Sequence, residues 1–236
     1  MKNNASIWGR ILWPVAAYLV LSIALRTAFV QAAGMSRETA SCWTGICLFL
    51  PVCLLYAYRW RSEISAHQAE KYRASADPER GFIWWLAAAV SLAAASAGLA
   101  GTDGAMAAGS ALGVLSTCVL GPFLEEVLYR GQFIGRGMPA IGALPLLVMS
   151  TLLFAASHGT WEQILLAVPA GLILGLLYLK EQRLTGVVIT HCAANTLIYC
   201  AGHWQLAAGK GLLLAALAAE AVIAALLYAK VFRRKQ

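Results

Sequence analysis

The sequence predicts an all-α fold, a polytopic transmembrane helix bundle of about eight spans, and three observations lead there. The chain has 236 residues, of which 60% are hydrophobic and 12% charged, with a mean hydropathy of +0.69. A soluble domain of this size has no interior large enough to hide so much apolar surface. The apolar residues fall in runs close to the roughly 20 that a helix needs to cross a bilayer. Lys and Arg fall mainly in alternate short segments between those runs, as expected of a multi-pass protein.

The runs follow in order. The first, 11–31, comes after Lys2 and Arg10. Ala32 and Ala33 resemble a signal-peptide cleavage site, but the long apolar body and the runs that follow favour a retained anchor. The second run covers 40–58. After it comes the one sizeable polar stretch, 59–81, which suits a short interfacial helix. The third, 82–101, opens on Trp84 and Trp85, and Trp60 closes the run before it; amphipathic rings prefer that depth in a bilayer. The fourth and fifth, 107–132 and 139–158, flank a segment rich in Gly and Pro. The sixth and seventh, 161–179 and 184–201, are parted only by Lys180, Glu181, Gln182 and Arg183, and 211–232 is the last. No internal repeat and no separate soluble domain is evident, so residues 1–236 read as a single integral membrane domain.

Placing the N-terminus inside puts Lys2, Arg10, Arg59, Arg61, Lys71, Arg73, Arg80, Arg136, Lys180, Arg183, Lys230, Arg233, Arg234 and Lys235 on one side. Arg37 and Lys210 fall on the other. Both termini are therefore expected in the cytoplasm. The net charge of +7 reports topology and contact with anionic membrane lipid; with no basic cluster interleaved with aromatics, a nucleic-acid partner is not expected. Cys42, Cys47, Cys53, Cys118, Cys192 and Cys200 lie in apolar stretches without C-x-x-C or zinc spacing and read as packing residues.

Ionisable groups inside a span are costly and mark function by default. Glu126 and Arg130, four apart, share a helix face and suit a charge-assisted pair that supports a site. Glu125 is turned about 100° from Glu126. A carboxylate held out of water is a stronger base, so Glu125 is the residue assigned to chemistry. His191 and Asn195 also share a face, and both can donate to a developing oxyanion. His158 ends F-A-A-S-H, where Phe154 reads as packing. Glu220, without a basic neighbour in its own helix, reads as the partner of another span.

E-E-V-L-Y-R at 125–130, F-A-A-S-H at 154–158 and H-C-A-A-N at 191–195 together resemble the E-E-x-x-x-R, F-x-x-x-H and H-x-x-x-N motifs of the CPBP intramembrane proteases. That family includes the type II CAAX prenyl endopeptidases and bacterial Abi-type proteins. The resemblance covers about 108–200, the expected catalytic core. It implies that Glu125 and His158 activate a water that attacks a peptide carbonyl, that His191 and Asn195 stabilise the oxyanion, and that Glu126 and Arg130 hold the site's shape. A metal-free, glutamic-type site without cofactor is expected, because H-E-x-x-H is missing and Asn is a poor zinc ligand.

The expected partner is a protein or peptide substrate cut near its C-terminus or in a membrane-adjacent segment. The short chain and its Ala-, Leu- and Gly-rich spans favour a bacterial inner-membrane member whose substrate carries a C-terminal sorting signal. Two other readings compete. One is a non-enzymatic immunity or partner protein of the same fold; the other is a small-solute transporter, against which the missing inverted repeat argues. Helix arithmetic leaves one demand open. For Glu125 and His158 to meet, spans four and five must tilt, or span five must begin before the bilayer does.

Overall fold

The computed structural model describes residues 4–60, 78–100, 110–203 and 209–232. Among these, each of the eight expected runs holds a helix and no strand is present. The helices are α1 (Asn4–Gln31), α2 (Arg37–Leu55), α3 (Pro78–Ala100), α4 (Ala111–Leu115), α5 (Gly121–Glu126), α6 (Arg136–Ile141), α7 (Ala143–Ala156), α8 (Trp161–Glu181), α9 (Leu184–His203) and α10 (Lys210–Phe232). Six stretches among the described residues are long and apolar enough to cross a membrane: Ile7–Gln31, Thr39–Tyr58, Ala111–Ile141, Trp161–Glu181, Leu184–Gly202 and Lys210–Phe232. Phe82–Ala97 and Ala143–Ala156 are shorter apolar helices.

Two sequence expectations shift. The fifth run does not begin at Pro139: residues through Ile141 belong to α6, and Gly142 at φ 92° breaks the chain before α7. α7 keeps 14 residues. At 1.5 Å per residue it rises about 21 Å, short of the roughly 30 Å hydrocarbon core. The fourth run is not a uniform α-helix. Ser116–Leu120 and Val127–Gly135 are π-helical, so the run alternates α and π turns from Ala111 to Ile141. Of the expected interfacial helix at 59–81, residues 61–77 lie outside the described ones; Tyr56–Trp60 is π-helical and α3 starts at Pro78.

The chain divides into two compact units, one of Met1–His67 with Ala108–Leu146 and one of Gln68–Ala107 with Leu147–Gln236. In the first, α1 packs on α2, on the π-helical stretch Val127–Gly135 and on α6. All nine residues of that stretch are buried. A proline in α1 shapes this packing. Pro14 has no N–H, so the Arg10 carbonyl four residues earlier loses its helical donor. The Gln132 side chain takes its place, its Nε2 donating to Arg10 O at 3.1 Å and to Ile11 O at 3.0 Å. Phe49 and Phe123 join α2 to α5, ring centroids 5.3 Å apart.

In the second unit α3 packs on α8, α9 and α10, and α8 also packs on α9 and α10. Trp85 fixes one end of this bundle: its indole Nε1 donates to Glu181 Oε2 at 2.6 Å, and Lys180 Nζ donates to Glu181 Oε1 at 3.1 Å. Gly186 makes room for the ring, since a Cβ there would lie 2.6 Å from Trp85 Cζ2. α8 stops because Gln182 adopts the left-handed conformation at φ 53°, its N–H on Tyr178 O and its side-chain Nε2 on Leu179 O. That cap explains how so short a polar segment parts two long helices. Large apolar side chains such as Leu50, Leu165, Leu214 and Val222 face outward, as they do where the surroundings are lipid.

Candidate active site

In the first unit the E-E-x-x-x-R motif lies where α5 gives way to the π-helical stretch. Glu126 and Arg130 are both fully buried, and Arg130 Nη1 donates to Glu126 Oε1 at 2.9 Å. The pair expected from four-residue spacing is present although the helix changes type between its members. Glu125, one position earlier, is half-buried and close enough to Tyr18 of α1 to interact with it electrostatically. The two adjacent glutamates thus occupy different surroundings, one sealed with a guanidinium and one at the edge of the packed interior.

In the second unit the two histidines are organised around Phe154. His158 lies past the end of α7, in the turn before α8, and its Nδ1 is 2.9 Å from Phe154 O. A carbonyl oxygen can only accept, so that contact places the imidazole proton on Nδ1 and leaves the lone pair on Nε2. Ser157 Oγ donates to the same carbonyl at 2.7 Å. Together the two side chains add donors at the helix end, where the Phe154 carbonyl also receives the Ser157 N–H at 3.3 Å. On the other side of the turn, Thr160 Oγ1 accepts from Gln163 N and Gln163 Oε1 accepts from Gly159 N, a close variant of the capping box. His158 is therefore held between two capped helix ends.

The Phe154 ring meets His158 edge-on at 5.0 Å and His191 at 5.8 Å, with interplanar angles of 71° and 74°. Phe154 and His191 are both buried. Gly171 of α8 permits this arrangement: a Cβ there would come within 3.1 Å of Phe154 Cδ1 and 3.3 Å of the Thr151 backbone. The packing role read for Phe154 from sequence takes a specific form, a wedge that sets two imidazoles at once. Asn195 is half-buried one turn beyond His191 on α9.

Glu220 lies on the inward side of α10, 2% exposed, and neither carboxylate oxygen has a hydrogen-bond partner among the described residues. The expected partner on another span is not seen there. Sequence reading passed over Gln132 and the Trp85–Glu181 bond. A signal for the first was present, since a Gln inside an apolar run must find a backbone acceptor and Pro14 frees one. Among the described residues no group of three or more His, Cys, Asp or Glu side chains is placed to hold a metal.

Six described helices long and apolar enough to cross a membrane, with the Glu126–Arg130 pair buried among the described residues, support a multi-pass membrane protein. Residues 107–197, a stretch that holds all three motifs, match the family described as Type II CAAX prenyl endopeptidase Rce1-like. No curated protein and no solved structure matches the chain.

Proposed function

We propose that the protein is an intramembrane endopeptidase of glutamic type, with its catalytic core in about 108–200. The observation that supports it best is the 2.9 Å contact of His158 Nδ1 with Phe154 O, which occupies Nδ1 and leaves Nε2 for another partner. In this reading Glu125 and His158 share one water. The Glu125 carboxylate takes a proton from it while His158 Nε2 holds its second hydrogen, and the oxygen adds to the peptide carbonyl carbon. The carbonyl oxygen becomes an oxyanion that His191 and Asn195 stabilise by donation. Collapse breaks the C–N bond, and the proton held by Glu125 passes to the departing amine. Glu126 and Arg130 keep the first carboxylate in place without touching the substrate.

The substrate is a membrane-adjacent or C-terminal segment of a protein, with C-terminal sorting signals the favoured class and a bacterial inner membrane with both termini cytoplasmic the favoured setting. Purified protein reconstituted with a candidate substrate tests the assignment. Glu125→Gln is expected to abolish cleavage. His158→Ala, His191→Ala and Asn195→Ala are expected to lower it by about a hundredfold or more, the scale of losing a general base or an oxyanion donor. EDTA is expected to leave the rate unchanged. Full activity in Glu125→Gln would falsify the mechanism, and a rate abolished by EDTA and restored by zinc would replace it with a metal-dependent one.

A further inference from the structure

A feature of the second unit lies apart from the motif residues. Between α8 and α10 runs an apolar groove of about 470 Å³, walled by Leu172 and Leu176 on one side and by Ala225, Tyr228 and Ala229 on the other. Small residues on α10 keep it open, since Ala side chains leave a channel where Leu would fill it. Helix phase fixes what stands at its end. Residues four apart lie one above the other on a helix, so the stripe Leu172–Leu176 continues to Lys180. On α10 the same spacing carries Leu226 to Lys230. Each wall of the groove therefore runs into a lysine, and both lysines lie at the same end of the unit.

Two tryptophans mark that end. Lys230 Nζ lies 4.7 Å from the ring centre of Trp84, and Trp85 is bonded to Glu181. Indole rings settle at the depth where hydrocarbon gives way to headgroups. Glu181 offsets part of the charge through Lys180, and Arg183 stands just past the helix end, leaving an excess of positive charge over one carboxylate. An apolar slot whose two walls each lead along a helix to a lysine, with indole rings beside them, is complementary to one kind of molecule.

We propose that the α8–α10 groove is a binding site for an anionic phospholipid, with an acyl chain along Leu172, Leu176 and Ala225 and the phosphate between Lys180 and Lys230. Basic positions between helices at the membrane surface recognise anionic headgroups, at about fivefold per cation. The site is independent of peptide hydrolysis, and its test needs no substrate.

Native mass spectrometry of the full chain, released from detergent with equal phosphatidylglycerol and phosphatidylcholine, reads the proposal directly. The protein is expected to retain phosphatidylglycerol in preference. The double variant Lys180→Gln/Lys230→Gln should weaken that retention by roughly thirtyfold while leaving phosphatidylcholine unchanged. Ala225→Trp, a change at an outward-facing position that fills the slot without touching the bundle interior, should remove the adduct with both lysines intact. Soluble glycerol phosphate should not compete, which separates a lipid site from a phosphate site. Equal retention of the two lipids, indifference to the lysine change, or displacement by glycerol phosphate would each overturn the proposal.

Discussion

Replacing Gln132 by Leu tests whether a side chain completes a helix in another part of the chain. The native Nε2 donates to Arg10 O at 3.1 Å and to Ile11 O at 3.0 Å, and Gln132 is fully buried. Ile11 O still has the N–H of Val15 within its own helix, but Arg10 O faces Pro14 and has none. Arg136 Nη1 reaches that oxygen only at 3.5 Å. Gln132→Leu therefore removes the side-chain donor that stands in for the missing Pro14 N–H, at a cost of about 0.5–1.5 kcal/mol. Pro14→Ala returns an N–H to position 14, which can bond Arg10 O along the helix. In that background the cost of Gln132→Leu should fall by about 0.5–1 kcal/mol, because Arg10 O is then bonded along its own helix. The four proteins of the cycle, unfolded thermally in a mild detergent and followed by circular dichroism, give the coupling. An identical cost of Gln132→Leu with and without the Pro14→Ala change would refute the assignment of the Gln132 bond to the gap left by proline.

Other expectations concern single sites. Glu126→Leu and Arg130→Leu should each lower stability by about 3–5 kcal/mol, since either leaves a buried charge without its counterpart. The double variant should cost less than either single one, and the same melting series checks it. Gly186→Ala pushes a methyl against the rigid Trp85 ring and should cost about 1–3 kcal/mol. That penalty should shrink in a Trp85→Phe background, which lacks the Cζ2 atom in contact. Glu220→Leu should raise the melting temperature, by a stabilisation of about 1–3 kcal/mol, because it removes two buried oxygens without partners among the described residues. Glu220→Gln, which keeps two polar atoms there, should bring little of that gain; a fall in stability for both variants would mean that the carboxylate has a partner.

The placement of the helices was legible because length and polarity decide it: an apolar run with charges at its ends has few alternatives in lipid. The Glu126–Arg130 pair was legible for a similar reason, since four-residue spacing brings side chains together even at the junction of α and π turns. The π-helical stretches were not. An α and a π turn differ by one residue in the hydrogen-bonding step, and nothing in V-L-Y-R-G-Q-F-I-G distinguishes them by composition. The start of the fifth helix was misplaced because Pro139 suits a first turn as well as an interior one, and Gly142 marked the break. The Trp85–Glu181 bond joins residues 96 apart, and long-range pairing leaves no periodic trace. Trp85 could be given a depth in the bilayer from sequence, but not a partner.

The π-helical stretch Val127–Gly135 has a consequence for how this chain tolerates change. A π turn is an α turn with one residue too many, kept because neighbouring packing compensates for it. Deleting one residue within 131–135, beyond Arg130, would let the segment relax to α geometry and draw in the slack locally, with the helix on either side keeping its facing. The same deletion in α8, which has no surplus, would rotate everything beyond it by about 100°. Length variation among related sequences should therefore be tolerated at 131–135, just after Arg130, as well as in the loops.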